Sequence, residues 1–368
     1  MCVASVSALP RVLLVGVSTR AMADSAARAG YAVTSLDAFG DLDQHRGVRA
    51  LSLPRDFGVP FSVDEVLNTA ESIETDVIAY LSPFENHPAS VERLARGRTL
   101  WGNDGSVLRR AREPRGFSNV VDTNDRWLVK PRASGGGHGI RWWNPGDAVP
   151  PHSYVQRFVD GTPGSIVFVA ARGRVVPLGL TRQLVGDESF GASGFRHCGN
   201  VLTSGRHMAS AVRAAQDAAR EFDLMGVNCI DFIAQGDGVV PIEINPRWSA
   251  SMELVERAYG VSVFGAHAAA CTTGELPTFE LARAQGAADV FGKAIVFARH
   301  DVTCADTHTW LSDATVRDVP HPGEHIPAGR PVCTVFATGS GDDTCYANLV
   351  LRANRVYETL ESWASVPA

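Results

Sequence analysis

Lysine is nearly absent from this chain of 368 residues: only Lys130 and Lys293 stand among 34 basic residues. Arginine serves surface charge well but replaces a compact ammonium poorly in a tight site, so the two lysine positions are the first to inspect. Long apolar runs are missing too. No stretch approaches the roughly 18 uninterrupted apolar residues of a membrane span. No run of like charges forms a polybasic or acidic tail. The formal net charge of -6 argues against a nucleic-acid binder driven by bulk electrostatics. The cysteines (Cys2, Cys198, Cys229, Cys271, Cys304, Cys333 and Cys345) form no C-x-x-C pair. Neither a disulfide framework nor a zinc site is expected, and a reducing cytoplasm is the natural home. No Gly-Lys is followed by Ser or Thr, which removes the Walker A loop, and Gly16-Val17-Ser18 lacks the G-x-G-x-x-G turn of a dinucleotide site. The first residues lack the basic region of a signal sequence and are expected to be a short ragged terminus before a core strand.

What is present reads as globular, with 45% hydrophobic and 20% charged residues. The length predicts two or three domains. Arg11–Val17 is a buried-strand pattern, followed by a helix through Ala21–Gly30 and a second strand, Tyr31–Leu36. That order opens an α/β unit with a parallel sheet. Further apolar runs at Val77–Leu81 and Thr99–Asn103 complete a first domain at 1–103. Beyond 104 the pattern changes. A strand at Trp127–Val129 runs into Lys130 and the loop Ser134-Gly135-Gly136-Gly137-His138-Gly139, then returns at Ile140–Trp143. Tyr154–Val159 and Ser165–Ala170 read as strands, residues 186–200 as an irregular glycine-rich segment, and Met208–Phe222 as a helix. Asn228–Ala234 and Val239–Asn245 form a hairpin about Gln235–Gly238. The tail after about 290 reads as short strands closed by a helix at 343–363.

Three constellations carry chemistry. Side chains two apart on a strand share a face, so Glu243 and Asn245 project together, and the hairpin brings Asp231 beside them. Oxygen ligands with two acids suit magnesium, a nucleotide's phosphates completing its shell. Arg247, two residues on, could hold a transferred phosphate in bidentate fashion. Lys130, just before Ser134-Gly135-Gly136-Gly137, can place its ammonium on phosphates while glycine amides close over them. Gln156 with the backbone of Phe158 and Val159 could offer adenine a donor and an acceptor. Lesser candidates for substrate contact are Glu85, Asn86 and His87 beyond a strand end, Arg196 and His197 in the glycine-rich segment, and Lys293 on a strand flanking the metal hairpin.

Strand-Lys-x-x-x-Ser-Gly-Gly-Gly, then Val155–Val159, then Ile230-Asp231-Phe232 and Ile242–Arg247, resembles the ATP-grasp superfamily in order and spacing. The tail Pro322–Val335 extends the likeness over most of the chain. It is most similar to ATP-dependent carboligases related to biotin carboxylase, some of which accompany tetrahydromethanopterin-linked one-carbon genes. The resemblance implies an α/β (α+β) ATP-grasp fold: an N-terminal parallel domain at 1–103, a core at 104–300 (small lobe about 116–158, large lobe about 159–300), and a small mostly β domain at 301–368. It implies ATP phosphates on Lys130, adenine at Gln156 and Val159, magnesium (or manganese) on Asp231, Glu243 and Asn245, and an acyl phosphate stabilised by Arg247. It implies a cytoplasmic carboxylate–amine ligase with small-molecule substrates and no nucleic-acid or membrane partner, adding an amino acid to a pterin or furan cofactor precursor. A homodimer is the default expectation. Rival readings are a phosphotransferase that stops at a phosphorylated product, a carboxylase-like enzyme, and a degenerate binding protein. The chain departs from the family in three places. Leu108–Glu113 offers only arginine where an early phosphate-binding lysine is usual, the hinge acid gives way to Gln156 or Arg157, and Ser251 stands where biotin carboxylases carry a glutamate base. A true biotin carboxylase is therefore not expected.

Overall fold

The computed structural model describes residues 9–113, 125–286 and 289–364. Cys2, the ragged terminus and the expected small-lobe start at about 116 lie outside the described residues. Strands β1 (Arg11–Val15), β2 (Ala32–Asp37), β3 (Val48–Ser52), β4 (Val77–Tyr80) and β5 (Thr99–Leu100) form a parallel sheet in the order β3-β2-β1-β4-β5. Helices α1 (Arg20–Arg28), α2 (Leu53–Phe57), α3 (Val63–Ala70), α4 (Pro88–Leu94) and α5 (Gly105–Ala111) connect and flank it. Its central strands are continuous apolar runs, Val12–Val15 and Val77–Tyr80, as a sheet covered on both faces requires. The strand order reverses between β1 and β4, which opens a crevice beyond their carboxyl ends.

A three-stranded antiparallel sheet follows: β6 (Trp127–Pro131) is central, between β7 (Arg141–Trp143) and β8 (Ser153–Arg157). The third sheet has eight antiparallel strands in the order β13-β12-β9-β10-β11-β14-β18-β16. They are β9 (Thr162–Ala171), β10 (Arg174–Val185), β11 (His197–Leu202), β12 (Gly226–Gln235), β13 (Gly238–Asn245), β14 (Val290–Phe297), β16 (Val316–Arg317) and β18 (Pro331–Gly339). Strands β15 (Val302–Thr303) and β17 (His325–Ile326) make a separate pair. The helices are α6 (Met208–Phe222), α7 (Ala250–Tyr259), α8 (Val263–Thr273), α9 (Leu281–Gln285) and α10 (Asp342–Ala364).

The two faces of the large sheet separate by strand alternation. Ile166, Phe168 and Ala170 of β9 pack with Ala211, Ala215, Ala218 and Ala219 of α6, which recur at helical spacing. Val167, Val169 and Ala171 face Met252, Leu254 and Phe264 of α7 and α8. Cys229 and Asp231 belong to this second face, because Ile230 and Phe232 belong to the first.

Two expectations change. Residues 186–200 are not irregular throughout: a 3-10 turn spans Glu188–Phe190 and β11 begins at His197, where the chain finds an open partner in β10. The tail strands β16 and β18 do not stand apart but extend the large sheet through β14, because Val332, Cys333, Val335 and Ala337 form a buried stripe that needs a covered edge. Among the described residues no helix is long and apolar enough to cross a membrane.

Candidate active site

A cavity of about 600 Å³ lies between the three-stranded sheet, the carboxyl ends of β1 and β4, and the α7 face of the large sheet. Val17 and Ser18 follow β1, Leu81 and Ser82 follow β4, and all four line it. The Val17 N–H donates to the Ser82 carbonyl at 2.7 Å, which closes the crevice from below. Polar residues cross the floor strand by strand. Asp231 pairs in register with Ser165, which pairs with Thr181; Gln183 pairs with Asn200, which pairs with Lys293.

The hairpin of β12 and β13 sets Asp231 directly opposite Glu243. Asp231 accepts from Gln183 Nε2 at 2.8 Å and from Asn245 Nδ2 at 2.9 Å. Burial, and then the Glu243 charge, push its carboxyl up to about 7 against these hydrogen bonds and Arg247. Glu243 accepts from Arg112 Nη1 at 2.6 Å. Arg112 sits just past α5 and also donates to Ile244 O and, at 2.7 Å, to Asn86 Oδ1. Arg247 is not placed by strand alternation, since it lies beyond β13 in a turn closed by its own N–H on Asn245 O. Its Nη2 donates to Glu85 Oε1 at 2.6 Å and to Asn245 Oδ1 at 3.2 Å.

Lys130, near the end of β6, lines the same cavity, and burial lowers its ammonium while Glu243 and Asp231 oppose the shift. Gly135, Gly136 and Gly137 line the cavity as well. Gly137 has φ +79°, and a Cβ there would stand 1.9 Å from the Phe195 carbonyl oxygen, so only glycine fits this approach. The His197 N–H donates to Gly136 O at 3.0 Å, which ties the loop to β11. Trp142 bridges the two sides, its ring 4.8 Å from Phe158 and 5.6 Å from Phe195, and both phenylalanines face the cavity.

Lys130, the three glycines, Gln156, Phe158, Val159, Asp231, Glu243, Asn245, Arg247, His197 and Lys293 are thus gathered around one space. Within the adenine set, Gln156 Nε2 spends one of its two N–H donors on Ile242 O at 3.3 Å, and the Phe158 N–H is taken by Arg126 O at 2.8 Å. Ser134 donates to His138 O and faces a smaller recess beside Arg112. Glu85 and Asn86 do not line the cavity; they stand behind it, holding Arg247 and Arg112. Arg196 also turns away, donating to Gly329 O at 2.8 Å. Lys293 does not flank the metal hairpin. Four strand spacings separate β12 from β14, about 19 Å along the sheet. His197 is half-buried, with Nε2 3.1 Å from Asn200 Oδ1, and its enclosure lowers its imidazole to about 4. Cys198 is buried and its thiol is pushed up to about 11 by burial, which leaves it a poor nucleophile.

Arg112, Gln183, Arg20, Glu253 and Asp318 also belong to the site or its walls and were not named as site residues from the sequence. Arg112 was traceable, since it lies in the arginine stretch that stands where a phosphate-binding lysine is usual; Gln183 lies near the end of β10. Among the described residues no group of three or more His, Cys, Asp or Glu side chains is arranged around a cation. The paired Asp231 and Glu243 carboxylates still suit magnesium, which keeps waters and phosphates in most of its shell, whereas Asn245 turns Nδ2 to Asp231 and Oδ1 to Arg247 and would join the shell only with its amide reversed.

This architecture is the ATP-grasp fold, with a parallel-sheet N-terminal region and antiparallel-sheet lobes enclosing the cavity. A family model described as the ATP-grasp domain matches residues 110–251. The fold is similar to the L-amino acid ligase from Bacillus licheniformis, with TM-score 0.63 and 13% identity over 94% of this chain and 97% of that one. The biotin carboxylase domain dimer of 2-oxoglutarate carboxylase from Hydrogenobacter thermophilus, solved with MgADP and bicarbonate, gives 0.66 and 13% over 95% and 90%. N5-carboxyaminoimidazole ribonucleotide synthetase from Thermus thermophilus gives 0.61 and 16% over 97% and 99%. A comparison with curated proteins finds no match.

Proposed function

We propose that the chain is an ATP-dependent carboxylate–amine ligase working through an acyl phosphate. The observation that carries this reading is the convergence of Lys130, the glycine loop, Asp231, Glu243, Asn245 and Arg247 on one cavity. Lys130 and the loop amides would bind the nucleotide's phosphates, with Phe158 and Val159 against the base. Asp231, Glu243 and Asn245 would hold magnesium, which when bound neutralises phosphate charge and polarises the reacting bonds. A substrate carboxylate oxygen attacks the γ-phosphorus and the bond to ADP breaks. An amine nitrogen then attacks the acyl carbon, phosphate leaves, and the amine gives up a proton. Arg247 would neutralise charge on the transferred phosphoryl group, so its role is positioning and electrostatics. Trp142 and the glycine loop would exclude water from the acyl phosphate. The resemblance to tetrahydromethanopterin-linked carboligases supports a pterin or furan cofactor precursor as the acceptor.

Calorimetry of ATP with magnesium tests the nucleotide site. Micromolar binding is expected for the wild type and loss of at least tenfold for both Lys130→Ala and Glu243→Gln. A wild type that binds no nucleotide refutes the reading.

A further inference from the structure

The cavity wall that includes β14 carries four charges of alternating sign, joined end to end. Lys293 Nζ donates to Glu253 Oε2 at 2.9 Å, Arg20 Nη2 to Glu253 Oε1 at 2.8 Å, and Arg20 Nε to Asp318 Oδ1 at 2.6 Å. All four residues line the cavity. They come from α1, α7, β14 and the turn after β16, so the chain of charges exists only in the folded protein.

The two inner groups each have opposite charges on both sides. Arg20 also lies 3.5 Å from Asp24 and 3.8 Å from Asp43, and Glu253 lies 3.6 Å from Arg257. The two ends do not. An ammonium has three donors, and Lys293 spends one on Glu253 while being 4% exposed. Its other protons have the cavity and the ring of Phe336, 5.2 Å away. At the other end, the Asp318 side chain is 27% exposed, against 1% for Arg20 and 5% for Glu253. Its Oδ2 accepts no hydrogen bond among the described residues.

Asp318 is also held in an uncommon conformation. Its φ is +56°, the left-handed region, which costs an ordinary residue about 1 kcal/mol or more. The turn is clamped there: the Val319 N–H donates to Asp43 Oδ1 at 2.8 Å, and Val319 O accepts from the Leu42 N–H at 2.9 Å. The Arg20 and Lys293 charges, against burial, keep its carboxyl below its ordinary value, so it is an anion at neutral pH.

We propose that this wall binds a free α-amino acid as its zwitterion, the carboxylate on Lys293 and the ammonium on Asp318. The ligand closes the open chain of charges into a ring of alternating sign. A simple carboxylate would fill Lys293 and leave Asp318 facing a second anion; a simple amine would do the reverse. Only a ligand bearing both charges a few ångströms apart satisfies both ends. Glu253 and Arg20 act as positioning residues that hold the ends apart. The inference rests on the ligase reading only in taking the cavity as a substrate cleft, and it names the class of one substrate.

The test is binding to the full-length chain, with and without the non-hydrolysable nucleotide AMP-PNP and magnesium. The twenty L-amino acids are screened by thermal shift, and each that binds is titrated by calorimetry beside its N-acetyl and α-amide derivatives. At least one amino acid should bind, and each derivative should bind at least tenfold more weakly. Asp318→Asn, which retains an oxygen for Arg20, should lower amino-acid affinity at least tenfold and leave AMP-PNP affinity within twofold. Lys293→Met should do the same; if it does not fold, Asp318→Asn decides. The proposal is overturned if no amino acid binds, if the N-acetyl form binds as well as its parent, or if Asp318→Asn binds like wild type. Amino-acid binding without AMP-PNP binding would instead refute the nucleotide reading and uphold this one.

Discussion

The pair of Glu85 and Arg247 joins the N-terminal sheet to the candidate site and makes a quantitative prediction. Both side chains are buried, 1% and 12% exposed, and Nη2 lies 2.6 Å from Oε1. Although burial opposes ionisation, the Arg247 charge holds the Glu85 carboxyl below its ordinary value. Two unit charges about 4 Å apart attract by about 4 kcal/mol at an effective dielectric of about 20. Removing one partner of a buried pair typically costs about 3–5 kcal/mol, because the other charge is left uncompensated. Glu85→Gln deletes the charge and keeps the shape and an acceptor oxygen, so no cavity term enters. Arg247 keeps Trp248 O at 3.0 Å and Asn245 Oδ1 at 3.2 Å, which places the expected loss near the lower end, about 3 kcal/mol. Urea unfolding followed by tryptophan fluorescence measures it. The double variant Glu85→Gln with Arg247→Gln should recover at least about 1 kcal/mol of that loss, since no lone charge remains. A single variant that unfolds within about 0.5 kcal/mol of wild type would refute the reasoning, for a surface-like pair has that worth.

Gly137→Ala should weaken nucleotide binding at least tenfold by driving the loop off Phe195 O, with little change in melting temperature; unchanged affinity in calorimetry would show that the loop does not contact nucleotide. Stability should fall in acid through His267, whose Nδ1 accepts the Val227 N–H at 3.0 Å and whose imidazole burial lowers to about 4. This folded value lies below the unfolded one, about 6.5, so the contribution is present above about 6.5 and is lost as pH falls toward 4. Its ceiling is about 3 kcal/mol, and His267→Gln should flatten the pH dependence of unfolding between those limits; an unflattened profile counts against it. Cys198→Ala should keep full nucleotide affinity in calorimetry, because the buried thiol is neutral and uninvolved; a lost affinity with intact fold would reassign that residue.

Local patterns were enough for much of the fold. The helix Met208–Phe222 is bounded as its alanine spacing predicts, and the hairpin of β12 and β13 follows from two apolar runs about a Gly-containing turn. β10 escaped because Pro177 and Gly179 interrupt its pattern, and its register shifts between them. β11 escaped because Gly199 and Asn200 look like loop residues until two neighbouring strands bury them.

By itself the sequence determined whatever depends on neighbours along the chain: the parallel opening, the lysine before its glycines, and the glutamate and asparagine that share one strand face. These are set by strand and helix periods and by the backbone freedom of glycine. Only the tertiary structure decided which side chains meet from afar. Arg112 reaches Glu243, Glu85 holds Arg247, and Arg20 bridges Glu253 and Asp318 across 233 and 298 positions of chain. No local rule encodes such pairs. A buried charge takes whatever counter-charge the packing of separate elements delivers, and its energy is settled only when both have left water.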